Sequence, residues 1–297
     1  MARDLELREL RAIELELTPE TRAERLGRLY EINRNRILGT LAIVAFLALW
    51  EWIGYLGAKG VTLSLPGFTL SFPPPLFISS PSRIYAAGYT LFASGEIWPH
   101  LKVSGAEFAL GFAGAIAIGI PLGMLVGWYK AAFAALNPFI SAMYATPRIA
   151  LLPLIIIWVG IGIWSKVAVV FLGAVFPIIV TTMTAMQTLD PSLLRAARSF
   201  GAGDREIFQT IALPASLPFI LAGLRLGAGR GLVGIVVGEL YAANAGVGYI
   251  IAVYGSTFQT DKLFVGVVII AIAGIAVVEM LQLLERRFDA WRPRQVE

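Results

Sequence analysis

The chain has 297 residues, of which 57% are hydrophobic and only 15% are charged, and its net charge is +4. A soluble protein carries about 25% charged residues, so this composition indicates a protein solvated mainly by lipid. The absence of Cys excludes disulfides, thiolate metal sites and cysteine nucleophiles. A single histidine, His100, excludes a histidine-rich haem or metal site. The N-terminus is charged rather than apolar, which predicts no cleavable signal peptide.

Residues 1–36 are dense in charges of both signs and are expected in the cytoplasm. Within them, Thr18-Pro19-Glu20 has the order of cap residue, proline and acid that is typical of a helix start. A helix that begins there could continue into the first span. A solvated tail and a regulatory or partner-contacting segment both fit this composition.

Apolar segments long enough to cross a bilayer, which takes about 20 residues, occur six times. The third is interrupted by Pro138, Pro147 and Pro153, which predicts a tilted or broken span. An all-α, multi-pass membrane protein is therefore expected. The predicted spans are residues 37–57, 103–127, 131–160, 166–187, 216–240 and 262–284.

The basic residues indicate how these spans are oriented. With the N-terminus inside, 16 of the 24 Lys and Arg fall in cytoplasmic segments and five fall in external segments. Because Lys and Arg favour the cytoplasmic side, both termini and the segment 190–214 are predicted to be cytoplasmic. The tail 285–297 is the C-terminal cytoplasmic segment in this topology. The five external residues are Lys59, Arg83, Lys102, Lys166 and Lys262.

The external segment 58–102 contains Pro73-Pro74-Pro75, which favours extended backbone. Ser82 is expected to cap a short amphipathic helix that lies on the membrane surface. The apolar positions of this helix are Ile84, Tyr85, Tyr89 and Leu91.

The polar segment 190–214 predicts two short helices joined by a turn. Asp190 and Pro191 suit the start of the first helix. Gly201 and Gly203 supply the turn, because glycine tolerates positive φ. The apolar face of the first helix consists of Leu193, Leu194, Ala197 and Phe200.

Asp204 is expected to cap the second helix, which stops at Leu213-Pro214. Its apolar positions are Ile207, Phe208 and Ile211. Two short helices around a glycine turn form a compact knob that fits a groove on another protein.

This segment resembles the coupling loop of ABC importer permeases, in which Glu-Ala-Ala, a glycine and Ile-x-Leu-Pro recur at fixed spacing. Arg195 stands where the family usually has Glu. By this resemblance, the segment receives the mechanical push of a cytosolic ATPase. The coupling residues are then Arg195, Ala196, Ala197, Gly201, Ile211, Leu213 and Pro214.

From about residue 82 to 292 the chain is similar to the nitrate/taurine/alkanesulfonate branch of these permeases. The likeness implies a type I ABC importer permease fold with its core at 103–284, a homodimer, and a location in the bacterial inner membrane among its lipids. It also implies two cytosolic ATPase subunits that bind ATP and Mg, and a periplasmic or lipid-anchored substrate-binding protein. No cofactor, metal or nucleic acid is expected on the permease itself. The stretches that carry the likeness include 145–154, 158–162, 223–225, 238–239 and 246–249.

Ionisable residues within the spans are costly and indicate function, and four of them are candidates for the translocation pathway: Arg148, Arg225, Arg230 and Glu239. Arginines that face a central pathway would offset the desolvation of a small anion and bind its oxygens through paired donors. Arg148 and Arg230 fit such a pathway role and a structural role equally well. Arg225 fits a structural ion pair or snorkelling better, and Glu239 fits a structural or gating contact.

The fifth span also carries glycines at four-residue spacing, which lets another helix approach closely. Packing within one subunit and a seam between two subunits both fit this pattern. The glycines are Gly223, Gly227, Gly231, Gly234 and Gly238. Aromatic residues expected at the membrane interfaces are Trp128, Tyr129, Trp158, Trp164 and Trp291.

Three classes of function compete at this point. An intramembrane enzyme would need a nucleophile–base pair or a metal cluster, and the sequence shows no such constellation. A structural membrane subunit would not need the coupling loop. The chain has no GxxxxGK[ST] phosphate loop, so its energy source must be another polypeptide. An importer permease is therefore favoured, and the arginines favour a sulfonate, a carboxylate or nitrate as its substrate.

Overall fold

The computed structural model describes residues 22–65, 68–72 and 74–288. The chain divides into two units, one ending at Pro74 and the other beginning at Pro75. A 3-10 turn, Arg148–Leu151, and a π-turn, Phe208–Ala212, lie between helices. The helices in chain order are α1 (Arg22–Ala58), α2 (Pro75–Ile78), α3 (Pro81–Ala93), α4 (Ile97–Trp128), α5 (Lys130–Ala145), α6 (Leu152–Val159), α7 (Ile163–Gln187), α8 (Pro191–Ser199), α9 (Asp204–Ile207), α10 (Leu213–Ala242), α11 (Val247–Ser256) and α12 (Thr260–Phe288).

The first unit contains α1 and an antiparallel hairpin of β1 (Thr62–Leu65) and β2 (Phe68–Ser71). Helix α1 includes the predicted first span, and the predicted helix start at Thr18 lies outside the described residues. The expectation of an all-α chain holds except for this hairpin. Its sequence signal was the alternation of polar and apolar residues on both sides of Pro66-Gly67.

The predicted number of spans is confirmed. Five described helices, α1, α4, the run from α9 through α10, α7 and α12, are long and apolar enough to cross a bilayer. The third predicted span is broken: α5 ends at Ala145, and the chain resumes at Arg148 after a bend of 88°. Thr146 is extended, with ψ of 132°, because the residue before a proline is excluded from the helical region. Pro147 therefore causes the break, whereas Pro138 lies inside α5.

Helix α3 confirms that the segment 58–102 contains a short helix, but its details differ from the prediction. Ser80 is the residue before the first turn, and Ser82 lies inside that turn, so the predicted cap was wrong. Ile84 and Leu91 are buried, whereas Tyr85 and Tyr89 are 78% and 71% exposed. The reason is helical geometry: positions seven residues apart share one face, and the two tyrosines lie on another.

Helices α4 and α7 pack closely against each other. A Cβ added at Gly111 would lie 2.6 Å from the Cβ of Val170, and one added at Gly127 would lie 2.6 Å from the Cβ of Met186. Glycines at multiples of four residues thus bring the two backbones together. The glycines of this row on α4 are Gly111, Gly119, Gly123 and Gly127, and they face Val170, Ile178, Thr182 and Met186 of α7.

Helix α10 also packs on α7. A Cβ added at Gly227 would lie 3.0 Å from the carbonyl oxygen of Ala174, and one added at Gly234 would lie 3.2 Å from that of Val169. These α10 glycines therefore pack within one subunit. The hydrophobic core forms where α4, α7 and α10 meet, and it includes Ala115, Ala174, Ile178, Ile220 and Ala228.

Most of the predicted interface aromatics lie at helix ends. Trp128 ends α4, and Trp158 and Trp164 are 73% and 63% exposed next to the turn between α6 and α7. Trp291 lies outside the described residues.

We expect Gly111→Ala to lower the thermal stability of the purified protein, because the new methyl would overlap α7. Overpacking of this kind costs about 1–3 kcal/mol. Gly105→Ala is the matched control, since it adds the same methyl to the same helix where nothing lies within 4 Å. Equal unfolding temperatures for the two variants in the same detergent would contradict the close contact.

Candidate functional site

A cavity of about 710 Å³ lies between the broken third span and α10. Its lining is mainly apolar, yet it includes Arg148, Arg225 and Arg230, the three arginines that the sequence places within the spans. The break at Pro147 positions Arg148, which begins the 3-10 turn after it. Three of the four predicted pathway residues are thus brought together.

The ring of Tyr144 lies next to both Arg148 and Arg230. The guanidinium carbon of each arginine lies 5.4 Å from the centre of this ring. Aromatic faces attract cations within about 6 Å, so one ring orients both side chains. The Nη2 of Arg148 also donates a hydrogen bond to the carbonyl oxygen of Tyr144 at 2.7 Å. Tyr144 could not be recognised from the sequence, because an aromatic residue near a span end is common.

Neither Arg148 nor Arg230 forms an ion pair with a carboxylate among the side chains that the structure describes. Arg230 is exposed, while Arg148 is half-buried and its Nε is buried without a hydrogen-bond partner. Two like charges beside one ring repel each other, and burial further penalises the charge of Arg148. An anion in the cavity would relieve both costs.

Arg225 differs from the other two arginines. Its Nη2 forms an ion pair with Glu285 of α12, the kind of contact that the sequence favoured for this residue. The pair joins the middle of α10 to the C-terminal part of α12. Arg225 therefore contributes less unpaired charge to the cavity than Arg148 and Arg230 do.

Glu239 does not line this cavity. It is 2% exposed, and its carboxylate accepts hydrogen bonds from the hydroxyl of Ser104 and the N–H of Gly248, both at 2.6 Å. Lys166, which was expected among the external basic residues, is also buried, at 3% exposure. The fourth predicted pathway residue thus belongs to a separate polar cluster.

The segment 190–214 begins as predicted. Asp190 accepts a hydrogen bond from the N–H of Ser192 at 2.7 Å and caps α8. This backbone hydrogen bond lowers the pKa of Asp190 below its ordinary value, and Arg195 contributes in the same direction. Gly201 has a φ of +84°, the left-handed conformation expected for the turn.

No residue of α8 is buried. Leu193 is 55% exposed and Phe200, which follows the helix, is 90% exposed. Arg195 and Ala196 are exposed, and Ala197 is half-buried. The single chain therefore leaves two of the four predicted apolar positions, Leu193 and Phe200, uncovered, while Leu194 and Ala197 are half-buried.

Two details of the second half of this segment were predicted wrongly. Gly203 is extended, with φ of −77°, and it precedes α9 while its N–H donates to the carboxylate of Glu206 at 3.0 Å, so Asp204 is not the cap. The helix also continues past Pro214. A proline lacks the N–H that the preceding turn would bond, and the wider π-turn just before it absorbs this loss.

The consequence is one continuous helical run, Asp204–Ala242, of 39 residues. It connects the glycine turn directly to α10, which carries Arg230. The three remaining coupling positions are half-buried at the start of this run, and they are Ile211, Leu213 and Pro214.

The sequence of this chain is similar to those of known transport proteins. The family model for the binding-protein-dependent transport system inner membrane component matches residues 119–290. The putative aliphatic sulfonates transport permease protein SsuC of Bacillus subtilis is 32% identical, over 92% of this chain and 95% of that protein. The taurine transport system permease protein TauC of Escherichia coli is 31% identical, over 86% and 88%. The formylaminopyrimidine transport permease protein ThiX of Halalkalibacterium halodurans is 32% identical, over 74% and 88%.

The fold is similar to that of a chain in an inward-facing MetNI methionine ABC transporter, with a TM-score of 0.55 and 20% identity. The match covers 65% of this chain and 94% of that chain. Since the relatives are transport permeases, this chain is a membrane transport subunit rather than an enzyme. It belongs to the family of binding-protein-dependent transport system inner membrane components, the permease subunits of ABC importers.

Proposed function

We propose that this permease moves a small organic anion of the sulfonate class through the cavity lined by Arg148 and Arg230. The observation that carries the proposal is the pair of guanidinium groups beside Tyr144, which have no carboxylate partner among the described side chains. Arg225 lines the same cavity but is neutralised by Glu285. The excess positive charge is therefore local and faces open space.

The chemistry of the cavity favours an oxoanion with an apolar tail. A sulfonate spreads one charge over three oxygens, and guanidinium groups bind such oxygens through paired donors. The mainly apolar remainder of the lining suits a short aliphatic chain, whereas nitrate has no such chain to bury. A volume of about 710 Å³ falls within the range of about 300–1,000 Å³ that is usual for small-molecule sites.

The relatives support this choice without deciding it. SsuC and TauC are named for aliphatic sulfonates and taurine, but ThiX is named for a formylaminopyrimidine at the same identity. Membership of the family therefore does not select the substrate. What favours a sulfonate is the pair Arg148 and Arg230, which have no carboxylate partner among the described side chains.

The assembly proposed around this chain follows its family. Two copies form the transmembrane unit, two cytosolic subunits bind ATP and Mg, and a periplasmic or lipid-anchored protein delivers the substrate. The chain lies in a bacterial inner membrane with both termini on the cytoplasmic side, because most Lys and Arg of the sequence fall in the segments assigned to that side. The exposed α8 is the surface that the ATPase contacts.

The continuous helix after the glycine turn supports a direct route for coupling. A displacement of α8 acts through Gly201 on the start of the run Asp204–Ala242. Because this run is helical without a break, the same displacement moves Arg230 relative to Arg148, which lies on a different element. The distance between the two guanidinium groups then depends on the state of the ATPase.

Arg195 distinguishes this chain from the usual pattern of the coupling loop. It is exposed on α8 where a family member presents Glu, so the matching surface of its ATPase is expected to be acidic or neutral. An exposed pair contributes about 0–1 kcal/mol, which makes Arg195 a determinant of partner choice more than of affinity.

We expect Arg148→Gln and Arg230→Gln to reduce uptake of an aliphatic sulfonate by reconstituted complex at least about tenfold, because hydrogen bonds to charged groups contribute about 1.5–3 kcal/mol. The amount of assembled complex should stay close to the parental level. Arg225→Gln is the contrasting variant: it removes the ion pair that joins α10 to α12, so it should lower the amount of assembled protein. If Arg148→Gln and Arg230→Gln both took up the sulfonate at the parental rate, that result would contradict the proposed anion pathway.

We expect Gly201→Val to weaken binding of the ATPase subunit and to reduce transport, whereas Gly203→Val should be tolerated. Neither new side chain meets an atom within 4 Å at its Cβ, so the two variants differ in backbone conformation alone. A left-handed conformation costs a non-glycine residue about 1–2 kcal/mol. If both variants pulled down the same amount of ATPase, the conformation of the turn at Gly201 would have no role in coupling.

We expect a cysteine at Ser199 to react with a membrane-impermeant maleimide only from the cytoplasmic side, and a cysteine at Ser256 only from the external side. Both serines are exposed, and the chain has no other Cys. Addition of the ATPase should protect Ser199→Cys and not Ser256→Cys. Labelling of Ser199→Cys from outside intact cells would reverse the topology.

A further inference from the structure

The N-terminus of α11 is held by side chains from two spanning helices. The first N–H groups of a helix have no partner within the helix, and here three consecutive ones are bonded by α4 and α10. The contacts are Gly246 N–H to His100 Nδ1 at 3.1 Å, Val247 N–H to Ser104 Oγ at 2.8 Å, and Gly248 N–H to Glu239 Oε2 at 2.6 Å.

Glu239 is the centre of this arrangement. Its carboxylate lies so close to the turn before α11 that a Cβ added at Gly246 would lie 2.3 Å from its Cδ. A Cβ added at Gly248 would lie 2.7 Å from the Cβ of Glu239. Only glycine backbone therefore leaves room for the carboxylate in this position.

A second carboxyl group lies against the first. Glu107 of α4 is 2% exposed and its carboxyl group lies within hydrogen-bonding reach of Glu239, while its Oε2 is buried without a hydrogen-bond partner in the described structure. The basic group that acts on both carboxyls is Lys166 of α7, whose Nζ donates to the carbonyl oxygen of Gly162 at 3.0 Å. With both glutamates ionised, two negative charges would face one positive charge.

The side chains described around Glu107 and Glu239 offer little further positive charge to compensate two ionised carboxylates. Helix α4 contributes His100 and Ser104, α7 contributes Lys166, and α11 contributes backbone N–H groups. Helix α12 contributes only apolar side chains to the small cavity beside Glu239, and they are Ile269, Ile270, Ala273 and Val277.

We propose that Glu107 and Glu239 form a binding site for one proton, which Glu107 carries and donates in a hydrogen bond to the Glu239 carboxylate. Two carboxyl groups in hydrogen-bond contact must share a proton, because two carboxylates cannot donate to each other. Glu239 is the ionised partner, since it accepts from Ser104 and Gly248 and lies at a helix N-terminus, where negative charge is favoured.

The unpaired Oε2 of Glu107 supports the same assignment. As the carbonyl oxygen of a neutral acid, a buried oxygen without a partner is tolerable, whereas as part of a carboxylate it would carry charge without compensation. Protonation of Glu107 thus explains why its buried Oε2 can lack a hydrogen-bond partner, whereas ionisation does not.

The consequence is that a proton stabilises the attachment of α11 to α4 and α10. Release of the proton places two adjacent buried carboxylates against the single Lys166, and their repulsion weakens the contacts at residues 246–248. This site is separate from the arginine cavity and does not depend on the identity of the transported anion.

Infrared difference spectroscopy of the purified chain in lipid nanodiscs tests the proton directly. At neutral pH the wild-type protein should show a deuterium-sensitive carbonyl band of a buried carboxylic acid, and Glu107→Gln should lose it. The exposed Asp204, 78% accessible, provides the control, because Asp204→Asn should leave the band unchanged. Identical spectra for wild type and Glu107→Gln would overturn the proposal.

Glu239→Gln gives a second variant that does not depend on Glu107→Gln folding. It should shift the band, since the acid would then donate to an amide rather than to a carboxylate, and an unshifted band would overturn the pairing. Hydrogen–deuterium exchange at residues 246–248 tests the consequence. Raised pH should reduce protection in wild type more than in Glu107→Gln at the same pH, and equal loss in both would contradict the role of the proton.

Discussion

The structure depends on how closely α4 and α10 approach α7. In lipid no hydrophobic effect drives helices together, so their association depends on van der Waals contact and on small residues that allow it. The glycine row of α4 brings its backbone against α7, and the glycines of α10 do the same. Because α10 carries Arg225, Arg230 and Glu239, this packing fixes the position of both polar sites of the protein.

The bend at Pro147 completes the cavity. It ends α5 and starts a new turn at Arg148, which places this arginine and Arg230 beside the ring of Tyr144. If the third span were straight, Arg148 would continue the helix α5 instead of beginning a new turn. The extra positive charge of the cavity thus results from one proline, one aromatic ring and the absence of a described carboxylate partner, while Arg225 is neutralised by Glu285.

Features set by local chemistry could be predicted from the sequence. The apolar runs predicted the spans, and Pro147 was among the prolines that predicted the break in the third span. Asp190 predicted the start of the coupling segment, and Gly201 predicted its turn. The continuation through Pro214 was missed because a π-turn has no simple sequence pattern.

Contacts between distant residues could not be predicted. Ser104 and Glu239 are 135 positions apart, and their contact follows from helix packing that no local pattern encodes. The burial of Lys166 could not be predicted for the same reason, because a lysine at a span end is buried only by helices that are distant in the sequence. Tyr144 likewise gains its position only when the bend and α10 are both in place.

The rate at which a cysteine in the cavity reacts with charged thiol reagents tests the central claim most directly. Gly229 lines the cavity with no atom within 4 Å of an added Cβ, and the chain is otherwise free of Cys. Gly229→Cys should react faster with a sulfonate-bearing methanethiosulfonate than with its trimethylammonium counterpart, after correction for their intrinsic rates. This preference should disappear when Arg148→Gln and Arg230→Gln are added. A preference for the cation, or one that persists without the two arginines, would contradict an anion pathway.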